Sequence, residues 1–238
     1  MGIEYQKWCE DWAAKVYPKM KDGSFLFVFG ARRTIHRVIN AFEDSGFLLK
    51  DILAWKKQSA HHRAQRVSIV LKRRGLDKEA KEWDGWRLGN LAPIWEPILW
   101  FTKPYKIGST ITDNILENEV GAINIDGCML NGSRQANLLD FGFRKGERKT
   151  HEAQKPLALI EHLIKLATKK KQIILDPFMG SGTTAVAANN LNRKFIGFEI
   201  DQKFYKKALK RIDDNLESEN TSKAPYSQQA LLNIKIQS

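Results

Sequence analysis

Residues 175 to 184 read LDPFMGSGTT, and a second apolar run, KFIGFE, closes on Glu199. Gly180 and Gly182 stand one residue apart, where an apolar stretch ending in Asp176 gives way to a helix-forming segment. In a strand-turn-helix of this kind, ligands bind beyond the carboxyl end of the strand, and glycine lets the backbone approach where a Cβ would collide. A nucleotide-like ligand is expected. The G-x-G lacks the third glycine of the dinucleotide fingerprint, and no lysine follows it to make a phosphate loop, so a pyrophosphate is not expected. Asp176 at the turn suits a cationic or amine-bearing ligand. Glu199, about twenty residues on, is placed to accept hydrogen bonds from both ribose hydroxyls. The bland alternative is glycine-mediated packing of helix on strand.

The elements that must position these residues are legible from periodicity. Apolar residues at helical spacing predict helices over 3–20, 33–45, 156–169, 182–191 and 202–216. SFLFVFG (24–30), FLLKDILAW (47–55), IWEPILWF (94–101), QIILD (172–176) and KFIGFE (194–199) read as strands. SFLFVFG is apolar almost throughout, as expected of a strand covered on both faces in a parallel sheet. The short connections of the last third predict a right-handed β-α-β-α unit with a parallel pair. The fold class expected is α/β, a doubly wound, mostly parallel, Rossmann-like sheet in one domain over 1–238. Segments 57–92 and 104–150 read as irregular insertions, and 217–238 as a loose tail.

Composition narrows the setting. The 238 residues carry 42% apolar content, enough for a full core, and a net charge of +12 that points to a polyanionic partner, most simply nucleic acid. Cys9 and Cys128 are too few and too far apart for a disulfide framework or a zinc site, so no metal is expected. No run approaches the roughly 18 apolar residues of a membrane span. The start is acidic and aromatic, unlike an export signal, and a reduced cytoplasmic setting is expected. Residues 56–75 hold His61, His62, Arg63, Arg66, Lys72, Arg73 and Arg74, enough positive charge for several phosphate contacts, or else a solvated basic helix.

These motifs together resemble one family, the amino-group DNA methyltransferases of the permuted beta class, which modify adenine-N6 or cytosine-N4. DPFMGSGTT is similar to that family's cofactor loop, HEAQKP (151–156) to its H-P-T-Q-K-P element, and FIGFE to its ribose-binding strand end. SFLFVFG, GFLLKDILAWKK and WEPILWFTKP extend the resemblance over about residues 5 to 212. It implies S-adenosyl-L-methionine as cofactor, lined by Asp176, Pro177, Phe178, Gly180, Ser181, Gly182, Thr183 and Glu199, with His151 and Lys155 near its methionine end. It implies double-stranded DNA as substrate, a base flipped from the duplex, and Trp95 and Glu96 at the target-base pocket. Trp95 reads equally as core. The setting implied is a bacterial or phage restriction-modification system, with adenine favoured as the commoner target.

One departure is large. The family handles the reacting amino group with Asp, Asn or Ser, then Pro-Pro, then Tyr or Phe, ahead of the helix that matches residues 3–20. The seven prolines here include no adjacent pair. An exocyclic amino nitrogen delocalises its lone pair into the ring and needs acceptors for its hydrogens as the methyl arrives, so no catalytic residue is expected within this sequence. The resemblance also places the strand leading to that tetrapeptide centrally, leaving the sheet incomplete. Three readings follow: half of a split, heterodimeric enzyme whose second polypeptide brings strand and tetrapeptide, which is favoured; a fragment of a longer chain; or an inactive cofactor- or DNA-binding remnant. Met1-Gly2 directly ahead of a helix suits a natural start. A small-molecule or RNA methyltransferase and a non-catalytic DNA-binding module are the readings from other classes.

Overall fold

A computed structural model describes residues 2–60, 64–130, 132–134, 136–147 and 153–220, with the side chains of 216–220 excepted. The first helix, α1 (Gly2–Val16), passes into a 3-10 turn at Tyr17–Lys19, because Pro18 has no N–H to continue the helical ladder. After β1 (Phe25–Phe29), α2 (Ile35–Asp44) ends at Gly46, whose φ of +94° only glycine adopts without strain. The Phe47 N–H then reaches back to the Phe42 carbonyl at 3.0 Å, the bond of a Schellman cap. That cap directs the chain into β2 (Leu48–Lys56).

Segment 57–92 is more regular than its composition suggests. It holds β3 (Gln65–Arg66), α3 (Val67–Arg73), α4 (Asp77–Glu82) and β4 (Arg87–Leu88), with β3 and β4 paired in a two-residue ribbon. After β5 (Trp95–Thr102), segment 104–150 contains α5 (Ile111–Asn118) and the short β6 (Leu138–Asp140). The signal for α5 was present: Thr110 and Asp113 form a reciprocal capping box. The last third runs α6 (Leu157–Ala167), β7 (Ile173–Asp176), α7 (Thr183–Asn190), β8 (Lys194–Gly197) and α8 (Gln202–Asn220). The final helix therefore takes in 217–220, assigned above to a loose tail, because extending a formed helix costs far less than nucleating one.

The main sheet has the order β1-β5-β2-β6, and β7 and β8 form a separate parallel pair. The expectation of a parallel neighbour for SFLFVFG is corrected. β1 runs antiparallel to β5, from Phe25 opposite Thr102 to Phe29 opposite Ile98, and its residues are half-buried. β5 is antiparallel to β2 as well, so the sheet is mixed. Strand direction depends on partners distant in sequence, and an apolar run does not encode it. One core, with Val38, Phe42, Phe47, Leu99 and Phe101, joins α1 and α2 to one face of this sheet. Another packs Leu159 and Leu163 of α6 on Leu53, Trp55 and Ile98.

Candidate cofactor and target site

β7 delivers Asp176 to the start of the loop. One carboxylate oxygen accepts the Phe178 N–H at 3.0 Å and the other accepts the Thr184 hydroxyl at 2.6 Å. Burial pushes the Asp176 carboxyl above its usual range; the two hydrogen bonds oppose this and the charge of Glu199 adds to it. Gly180 and Gly182 both occupy the left-handed region, at φ +53° and +78°. A Cβ on Gly182 would stand 3.1 Å from the Ala208 Cβ of α8, so this glycine serves helix packing. A Cβ on Gly180 would have only the Phe178 carbonyl oxygen near it, at 4.0 Å, so the backbone there is open to approach.

Glu199 follows β8. Its Oε2 accepts the Gly180 N–H and its Oε1 the Asp201 N–H, both at 2.9 Å, so the two acids read from the sequence clasp one loop. An ionised carboxylate offers about four acceptor sites, which leaves Glu199 capacity for further hydroxyl donors. Ser181 is buried and donates to the Gln154 amide oxygen at 3.4 Å, and Thr183 accepts from Arg211 at 2.9 Å. Arg211 was not named from the sequence; only the packing of α8 brings it beneath the loop. Pro177 is half-buried beside Asp176. Phe178 is exposed, and its ring lies 5.6 Å from Trp8 and 5.3 Å from Trp12 of α1.

The 154–156 strap connects this loop to the main sheet. Gln154 faces Ser181, while Lys155 donates to Glu96 Oε1 at 2.5 Å. Glu96 also pairs with Lys57 at 3.1 Å, and the Lys155 ammonium stands 5.1 Å from the Phe29 ring centre and 5.5 Å from that of Trp55. Two ammonium groups thus share one carboxylate in an aromatic surround, at the ends of β1, β2 and β5. Trp95 is exposed at the start of β5, with the Arg32 guanidinium 6.0 Å from its ring centre. Lys57 and Arg32 were not singled out from the sequence, where each is one cation among many.

Arg66, Arg73 and Arg74 are exposed on the unit built from β3, α3, α4 and β4. His61, His62, Arg63 and His151 lie outside the described residues. Cys9 and Cys128 are free thiols, each pushed up in pKa by burial. Among the described residues no group of three or more His, Cys, Asp or Glu side chains could hold a metal, and no helix is long and apolar enough to cross a membrane.

Solved structures share this fold. The M1.HpyAVI-SAM complex superposes with a TM-score of 0.61 at 26% identity, covering 86% of this chain and 81% of that one. The cytosine-N4-specific PvuII DNA methyltransferase, at 20% identity and a TM-score of 0.63, shares the fold, over 93% of this chain and 79% of its own. In sequence the chain is 48% identical over 214 residues to the type II methyltransferase M.HindIII of Haemophilus influenzae, across 88% of this chain and 69% of that relative. It is 25% identical to M2.MboI of Moraxella bovis over 86% of this chain, spanning 64% of that protein's length. The sequence profile of the N6/N4-type DNA methylases matches residues 3–210, and the chain belongs to that DNA methylase family.

Proposed function

We propose that this chain binds S-adenosyl-L-methionine at the loop 176–182 and recognises duplex DNA, as part of an enzyme that methylates an exocyclic amino group, adenine-N6 ahead of cytosine-N4. The observation that carries this reading is the loop itself. Gly180 leaves its backbone open, and acids stand at the carboxyl ends of two adjacent parallel strands. The residues fit the cofactor chemically: Glu199 retains acceptor capacity for ribose hydroxyls, and Asp176 offers negative charge near an amine-bearing ligand. Bound there, the cofactor would supply an electrophilic methyl group on a sulfonium. This chain's residues bind and orient: Asp176 and Glu199 fix the loop backbone, Gln154 and Arg211 brace Ser181 and Thr183, and Glu96 holds Lys155 on the sheet side. Exposed Arg66, Arg73 and Arg74, with His61, His62 and Arg63, would neutralise phosphates, while Trp95 and Glu96 would border the flipped base.

The acceptors for the amino hydrogens would come from a segment outside these 238 residues, on a second polypeptide or on more of the same chain, docking a strand between β1 and β7. Two facts support this. Among the described residues β1 pairs only with β5 and β7 only with β8, leaving a bare edge on each sheet, which soluble proteins rarely expose. Phe29, the last residue of β1, packs in the same apolar cluster as Ile174 of β7, so the bare edges belong to neighbouring sheets. Calorimetric titration with the demethylated cofactor, and methyl transfer to duplex DNA, test the reading. Cofactor binding is expected, with transfer appearing on co-expression with a polypeptide carrying an apolar strand followed by an Asp-, Asn- or Ser-Pro-Pro-aromatic sequence. Absence of cofactor binding even with that polypeptide would sink the enzyme reading. Robust transfer by these 238 residues alone would sink only the partner dependence.

A further inference from the structure

We propose that Arg66 and Arg87 form a two-guanidinium clamp for one backbone phosphate of duplex DNA. Arg66 and Arg87 are direct partners across the antiparallel β3–β4 ribbon, and both are exposed. Residues directly opposite in such a pair project to one face with Cβ atoms about 4.5–5.5 Å apart, and like charges placed there destabilise the pairing. The ribbon can ill tolerate that cost, since among the described residues its only other paired position is Gln65 opposite Leu88. Among the described residues neither arginine makes an ion pair. The nearby carboxylate of Asp84 accepts the hydroxyl of the buried Ser68. A phosphodiester has two non-bridging oxygens that share one negative charge and can take one guanidinium on each, converting the repulsion into two charge-assisted hydrogen-bond sets.

The surroundings favour DNA over another polyanion. Trp83 and Trp86 meet edge-on at 5.3 Å and stay 46% and 61% exposed. The Val67 N–H donates to the Trp86 carbonyl at 3.0 Å, fixing that tryptophan at the root of the ribbon. Exposed indoles beside paired guanidiniums suit the apolar sugar edge and charged phosphate of a nucleotide together. Lys72 and Arg73 in the last turn of α3, followed by Arg74, add positive charge to the same unit. The four elements pack chiefly on one another around Ser68 and Ala80, so the clamp can be altered without disturbing either larger sheet.

The clamp rests on the reading that duplex DNA is the substrate, and salt dependence separates the two. The slope of log affinity against log salt falls by about 0.9 for each phosphate contact removed. With the full chain and a DNA duplex, Arg66→Ala and Arg87→Ala should each weaken binding while lowering the slope by less than about 0.9, because the remaining guanidinium still pairs with the phosphate, and the double variant should lower it by about 0.9 rather than about 1.8, because both arginines serve one phosphate. The Arg66→Lys/Arg87→Lys variant should keep the slope while binding several-fold more weakly, having lost the planar fork. A double-variant loss near 1.8, or no change in any variant, overturns the clamp and leaves duplex binding standing. Absence of salt-dependent duplex binding by the unaltered chain overturns the reading beneath it.

Discussion

The loop 176–182 and the β3–β4 unit are both built around tight turns, yet they bear their constraints differently. In the loop, Gly182 is wedged against Ala208, Asp176 accepts a backbone N–H and the Thr184 hydroxyl, Glu199 accepts the Gly180 N–H, and Ser181 and Thr183 are held from behind by Gln154 and Arg211. In the β3–β4 unit, Gly85 also has a positive φ, +83°, but a Cβ there would meet nothing within 4 Å, and most side chains from 71 to 91 are exposed. One region holds its backbone in place by crowding. The other holds charge and aromatic surface out to solvent and has little core of its own.

The strongest test of this contrast is a matched pair of alanines. Gly182→Ala should cost about 3 kcal/mol of stability, the sum of left-handed strain and overpacking, while Gly85→Ala should cost about 1 kcal/mol from strain alone. Urea unfolding of both variants measures the difference, and equal losses would break the comparison. Next comes Glu96→Gln, which leaves Lys155 and Lys57 without their shared charge in a half-buried site; a loss of about 2 kcal/mol is expected, partly recovered in Glu96→Asp.

A pH test is gentler. Asp176 has a carboxyl pKa raised by burial, so only between the unfolded and folded values does the folded chain hold a proton there that the unfolded chain has lost. Stability from this group is greatest below the unfolded value, about 3.9, falls as pH rises through the higher folded value, and then levels. Asp176→Asn should remove that decline, read as a flatter unfolding free energy between acid and neutral pH. Smallest of all, Arg73→Ser and Arg74→Ser should move stability by no more than about 0.5 kcal/mol, while lowering the salt dependence of duplex binding. An effect on stability larger than that would mean these arginines are structural.

Much of the loop was legible because its determinants are local. Two glycines, an acid at a strand end and a helix-forming run occupy ten consecutive residues, and each requirement is met by a neighbour in sequence. The capping box at Thr110 and Asp113 was equally local and still escaped notice, masked by the Gly- and Asn-rich composition around it. Segment 57–92 hid four short elements for a related reason: a two-residue strand or a six-residue helix is too brief for hydrophobic periodicity to register.

The sequence by itself determined where the principal helices and strands lie, that Asp176, Gly180 and Gly182 make a tight strand-to-helix turn, and that the chain's positive charge is spread over segments outside the core. Tertiary structure alone decided that β1 and β2 flank an antiparallel β5, that Glu96 draws together Lys57 and Lys155 from distant segments, that Arg211 reaches beneath Thr183, and that Arg66 faces Arg87. The physical reason is one of range. Turn geometry and helix propensity are settled among residues a few positions apart, whereas strand direction, shared ion pairs and cross-strand neighbours depend on which distant segments burial brings into contact.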